Sequence, residues 1–166
     1  FNYYHSFQKK INLLEGINII LPIIELLYVN MKICIENKEL LCLFFELIQT
    51  IIKFKKKNME NILNQKFFMI LSIFIEKMPE EIFTNELHQI IIEIAKNIFC
   101  YHKTCSIYLD YCDYVLLNEK IVFKFKASEQ VKCWEQIYQY YEKSEKFILP
   151  INKVISIITC NDNKYS

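Results

Sequence analysis

The chain has 166 residues, 53% of them apolar, with 20 Lys against 19 Asp plus Glu and a formal net charge of +1. It can bury a sizeable core, but with one Gly it has no glycine-rich phosphate loop, neither G-x-G-x-x-G nor Walker A. That single Gly also argues against an all-β fold, and the absence of both Arg and a basic excess argues against a nucleic-acid binder.

Apolar residues follow helical spacing nearly throughout. The pattern predicts a first helix over 17–30. A second covers 37–54, with Glu39 early and Lys53, Lys55, Lys56 and Lys57 at its end, a polarity that suits the helix dipole. A third over 66–77 stops at Pro79, and Thr84 is placed to cap a fourth that runs to about Cys100. A fifth covers 107–117. Ser128 is placed to cap a sixth over 128–143, with Glu129 in its first turn. The seventh covers 147–160, with Pro150 in its opening turn. Residues 118–127 differ: Phe123, Lys124, Phe125 and Lys126 alternate, and this period of two predicts an extended connection. No apolar run reaches the roughly 18 residues of a membrane-spanning helix. Segment 17–29 is broken by Asn18 and Glu25, and 40–52 by Glu46 and Gln49, so both read as buried helices.

Two of the helices repeat one another. Segment 40–52, Leu-Leu-Cys-Leu-Phe-Phe-Glu-Leu-Ile-Gln-Thr-Ile-Ile, aligns with 87–99, Leu-His-Gln-Ile-Ile-Ile-Glu-Ile-Ala-Lys-Asn-Ile-Phe, at an offset of 47 that puts Glu46 on Glu93. The helices before them align at an offset of 50, with 17–24 over 67–74. A helix pair recurring at this period is the mark of armadillo and HEAT arrays. The expected fold is therefore all-α, an armadillo/HEAT-like α-solenoid of about seven helices. Residues 1–166 are expected to form a single solenoid segment, a fragment of a larger protein. Ile90, Ile91, Ile92, Ile94 and Ile98 surround their helix too widely for a surface helix, as stacked repeats require. On helix 128–143, Val131, Trp134, Tyr138 and Tyr141 form one stripe.

The seven cysteines, Cys34, Cys42, Cys100, Cys105, Cys112, Cys133 and Cys160, are odd in number, and residues 1–10 hold no apolar leader core. Reduced thiols in a cytoplasmic protein are expected. Cys100, His102, Cys105 and Cys112, with Asp113 adjacent, are zinc-ligand types in a C-x-H-x2-C-x6-C spacing that is no standard finger. Cys105 and Cys112, seven apart, equally fit one apolar helix face, and metal binding is left open. A Cys–His nucleophile would need His5, His88 or His102, and no Gly-rich elbow presents one. No catalytic, cofactor-binding or metal residue is assigned, no cofactor is expected, and the chain is read as no enzyme. Lys53, Lys55, Lys56 and Lys57, with Lys124 and Lys126, read either as a solvated helix end and loop or as contacts with anionic lipid headgroups. Trp134, Tyr138, Tyr140 and Tyr141 read as core or as a protein-binding patch, with Tyr140, off the stripe, the better surface candidate.

Three stretches stand in series: Leu14-Glu-Gly-Ile-Asn-Ile-Ile-Leu-Pro-Ile-Ile-Glu25, Gln65-Lys-Phe-Phe-Met-Ile-Leu-Ser-Ile-Phe-Ile-Glu-Lys77, and Asp113-Tyr-Val-Leu-Leu-Asn-Glu-Lys-Ile-Val-Phe123 followed by Ser128-Glu-Gln-Val-Lys132. In order and spacing they resemble the helical region of BEACH-domain proteins of the neurobeachin type. There the matching stretches read Gly-Gly-Ile…Leu-Leu-Pro-Leu-Leu-Glu, Gly-Phe…Leu-Gly-Tyr-Leu-Leu-Glu-Lys and Asp-His-Val-Leu-Phe-Asn-Pro…Ile-Trp-Ile. The resemblance spans about residues 11–160. It departs at Glu15, where the family has Gly, at Glu119, where it has Pro, and at Val122, where it has Trp. It implies a cytoplasmic scaffold segment, peripheral to endomembranes, that serves vesicle and membrane traffic by binding proteins rather than nucleic acid or a small-molecule substrate. A general helical-repeat adaptor and a small zinc- or thiol-dependent enzyme are the alternatives.

Overall fold

A computed structural model describes residues 17–54, 66–102, 105–143 and 151–162. Among them every regular element is helical: α1 (Ile17–Val29), α2 (Met31–Glu36), α3 (Lys38–Phe54), α4 (Phe67–Lys77), α5 (Asn85–His102), α6 (Cys105–Tyr111), α7 (Glu119–Val122), α8 (Ala127–Lys143) and α9 (Ile151–Asp162). A 3-10 turn at Glu80–Ile82 and a π-helical turn at Cys112–Leu116 complete the set.

Several helix ends lie where local chemistry places them. α4 stops at Lys77, two residues before Pro79, and the Met78 N–H closes its last turn on the Ile75 carbonyl at 3.0 Å. The Thr84 hydroxyl accepts the Leu87 N–H at 3.3 Å, so it caps α5 as its position predicts. α8 begins one residue earlier than expected. The Lys126 carbonyl accepts the Glu129 and Gln130 N–H groups at 2.9 and 3.0 Å, which puts Ser128 inside the first turn instead of at the cap. α9 starts at Ile151, and Pro150 lies outside the described residues.

Two local expectations are corrected, and one helix is added. Residues 31–36 are helical, bracketed by Asn30, whose side chain donates to the Leu26 carbonyl at 2.9 Å, and by Asn37, whose N–H donates to Ile33. The predicted helix over 107–117 is α6 running into the π turn, where the Leu117 N–H reaches back to the Cys112 carbonyl at 2.8 Å. The wider turn leaves Val115, Leu116 and Leu117 all buried. Segment 118–127 is not extended. It forms α7 and then turns in which Lys124 N–H donates to Ile121 and Phe125 N–H to Val122. Its alternation came from two residues with separate anchors, Lys124 and Phe125, and not from a pleat.

The helices pack in two rows. α3 lies along α5, the most extensive helix contact among the described residues, and α8 packs on the same α5. In the other row α1 meets α4, and α4 meets the π turn and α7. The sequence repeat is the stacking register. Leu41, Phe44, Phe45, Ile48 and Ile51 of α3 are buried, and so are His88, Ile91, Ile92, Ala95 and Ile98, the residues 47 further along. Each large apolar side chain so buried contributes about 2 kcal/mol. α5 has neighbours on several sides, which is why Leu87, Ile91, Ile92, Ile94 and Ile98 are all buried around its circumference. Among the described residues no helix is long and apolar enough to cross a membrane.

Candidate functional site

The register that stacks α3 on α5 also aligns their outward faces. Glu39, Leu43 and Glu46 lie at i, i+4 and i+7 on α3, and Glu86, Ile90 and Glu93 take the same steps on α5, again 47 residues on. Between the helices runs a groove of about 480 Å³, lined by Glu39, Cys42, Leu43, Glu46, Asn85, Glu86, Gln89 and Ile90. Leu43 is 59% exposed, an apolar residue presented to solvent. The charged residues of the lining are all carboxylates. Further along α5, Glu93 pairs with Lys96 at 3.2 Å. Burial, and then the Glu86, Glu46 and Glu39 carboxylates around it, push the Cys42 thiol above its ordinary value. Burial does the same to Cys34. Both are therefore poor nucleophiles, since the thiolate is the reactive form.

A second cleft, of about 680 Å³, adjoins the first through Asn85 and has mixed charge, with Lys38, Lys124 and Lys126 facing Glu80, Glu81 and Glu129. Lys124 is already engaged. Its amine donates to the Glu76 carbonyl at 2.7 Å and to the Met78 carbonyl, and sits 5.2 Å from the Phe83 ring centre. Burial lowers its pKa, against the opposing pull of Glu80 and Glu76. This lysine terminates α4, so of the pair suggested for lipid contact only Lys126 is exposed. The Lys53 side chain and residues 55–57 lie outside the described residues.

Cys112 is fully buried in the core. The side chains of Cys100, His102 and Cys105, and residue His5, lie outside the described residues. Among the described residues, no group of three or more His, Cys, Asp or Glu is arranged to hold a metal ion. His88 is buried and stacked on Phe125, ring centres 4.1 Å apart and 17° from parallel. Burial lowers its pKa to about 4, opposed by Glu129, so the ring is neutral at pH 7. The aromatic stripe of α8 is corrected by one residue. Val131 and Tyr138 are 57% and 58% exposed, while Trp134 is half-buried and Ile137 buried. The inward strip is Gln130, Trp134 and Ile137, fixed in part by Gln130 donating to the Phe125 carbonyl at 2.8 Å. Tyr140 and Tyr141 side chains lie outside the described residues.

The groove residues Glu39, Leu43 and Glu86 were missed as a site. The Glu46–Glu93 match was the available signal, and carrying it one heptad back pairs Glu39 with Glu86. Neither a curated protein nor a solved structure matches the chain. The family model described as "Neurobeachin/BDCP, DUF4704 alpha solenoid region" matches residues 2–163, and the chain belongs to that family as a helical scaffold segment of the neurobeachin type.

Proposed function

We propose that the chain acts without catalysis, as a scaffold segment of a BEACH-type protein that binds protein partners in vesicle and membrane traffic, in the cytoplasm and peripheral to endomembranes. The observation that carries the reading is the register-matched face of α3 and α5, an open groove with one sign of charge and an exposed Leu43. Repeat stacks use such faces for extended contacts, because each repeat adds the same side-chain positions to the next. Membership of the neurobeachin-type family supports the same reading. The chemistry of the site agrees with it: Cys34 and Cys42 are held as thiols, and His88 is stacked in the core instead of facing a reacting group.

The test replaces residues 17–162 within the complete protein by a designed helical-repeat spacer of similar length. Proximity labelling and endomembrane fractionation are then compared. The expected result is normal expression with loss of a defined set of labelled partners and reduced membrane association. An unchanged partner set and unchanged fractionation would overturn the reading.

A further inference from the structure

Resting on that reading, we propose that the α3–α5 groove takes an extended basic segment of a partner protein, with two basic residues three positions apart and an apolar residue between them. Charge selects the class. A groove whose charged lining is all carboxylate repels anionic headgroups and phosphate backbones, and attracts lysine or arginine. Spacing selects the pattern. Glu39 and Glu46 stand two helical turns apart, about 10.5 Å along the axis. A chain in the polyproline II conformation has three residues per turn and rises about 3.1 Å per residue, so side chains three positions apart share a face and stand about 9 Å from one another. Leu43 lies between the two carboxylates and is largely uncovered, which suits one apolar side chain between the two basic ones. Glu86, with Ile90 beside it, supplies the opposite wall. Cys42 lies in the same lining as Glu39, Glu46 and Glu86, so the three carboxylates border one groove.

A fluorescein-labelled Ser-Gly-Lys-Leu-Gln-Lys-Gly-Ser peptide, titrated with the chain and followed by fluorescence polarisation, tests this. Saturable binding is expected, weakening as salt is raised. The double variant Glu46→Lys with Glu86→Lys alters two exposed positions, and circular dichroism checks that its helices are intact. It is expected to lose about tenfold or more in affinity, and to bind the Ser-Gly-Glu-Leu-Gln-Glu-Gly-Ser peptide that the unaltered chain rejects. Replacing the peptide leucine by glutamine is expected to weaken binding without removing its salt dependence. Absence of saturable binding, or equal affinity for both forms of the chain, would overturn the proposal. So would oligomerisation of the chain that the double variant abolishes, which would assign the groove to a second copy. The two readings fail separately: peptide binding can be absent while spacer replacement still removes partners, and then only the groove assignment falls.

Discussion

The Lys124 amine donates to the Glu76 backbone carbonyl at 2.7 Å, across 48 residues of sequence. With its second bond to the Met78 carbonyl, it supplies a cation where the last carbonyls of α4 would otherwise be unsatisfied. Lys124→Met keeps most of the aliphatic stem and removes the charge. Two carbonyls in part-buried hydrogen bonds then lose a charged donor, and the expected cost is about 2 kcal/mol. Urea unfolding of the two chains measures it; identical midpoints and slopes would show that the bonds add nothing beyond water.

His88 occupies the slot that Leu41 fills one repeat earlier, and the substitution makes stability depend on pH. The unfolded ring titrates near its ordinary value of 6.5, and the folded ring near 4. Between these values the unfolded chain binds a proton that the folded chain refuses, so stability rises with pH. The contribution is complete above pH 6.5, declines as pH falls, and is lost below about 4, a total of about 3 kcal/mol. Glu129 is the charged neighbour that opposes the shift. His88→Leu restores the residue of the first repeat and should flatten this part of the curve. Unfolding free energies at several pH values from 4 to 7 decide it, and parallel curves for the two chains would refute the assignment.

Tyr111 joins the rows of the stack. Its hydroxyl donates to the Ile91 carbonyl of α5 at 2.8 Å, and its ring meets Phe68 of α4 edge-on, with centres 5.0 Å apart. Tyr111→Phe removes the hydrogen bond and keeps the ring, with an expected cost of about 1 kcal/mol. Tyr111→Ala also opens a cavity between α4 and α5 and should cost about 3 to 5 kcal/mol. Thermal unfolding ranks the pair, and equal losses would mean that the ring packing contributes little.

Much of this was legible in the residues. The offset of 47 identified α3 and α5 as equivalent, and their buried positions repeat at that same offset. Helix α8 was harder to read because it is held by the narrow strip of Gln130, Trp134 and Ile137, whereas its apolar residues Val131 and Tyr138 face outward. Hydrophobic spacing alone therefore chose a face one residue off. The turns of 118–126 were hidden for a different reason: the amine of Lys124 goes inward to carbonyls and Phe125 goes inward to His88 and Phe83, so polarity did not report burial. The groove was half visible, as Glu46 on Glu93, while the exposure of Leu43 needed the packed helices.

Residue 119 is one of three positions where the chain departs from the family pattern, with Glu in place of Pro after Asn118. Asn118 is the N-cap of α7: its side-chain oxygen accepts the Lys120 N–H at 3.0 Å, and its amide donates to the Glu76 carboxylate at 2.8 Å. Residue 119 is then the first helical position, where proline is well tolerated because the N–H has no helical partner. Glutamate also suits that end of the helix dipole, and here its carboxylate accepts a hydrogen bond from the Ser156 hydroxyl of α9. The glutamate thus keeps the start of α7 and adds a tie to the last described helix. Glu119→Pro should leave α7 intact and cost about 1.5 to 3 kcal/mol, the range for a hydrogen bond to a charged group. Ser156→Ala should cost a similar amount, and the double variant little more than either alone. Asn118→Ala, which removes both the cap and the Glu76 contact, should cost more than either single change. Denaturant unfolding of the four variants tests the scheme; a double variant that loses the full sum of the two single losses would mean that Glu119 and Ser156 are not coupled.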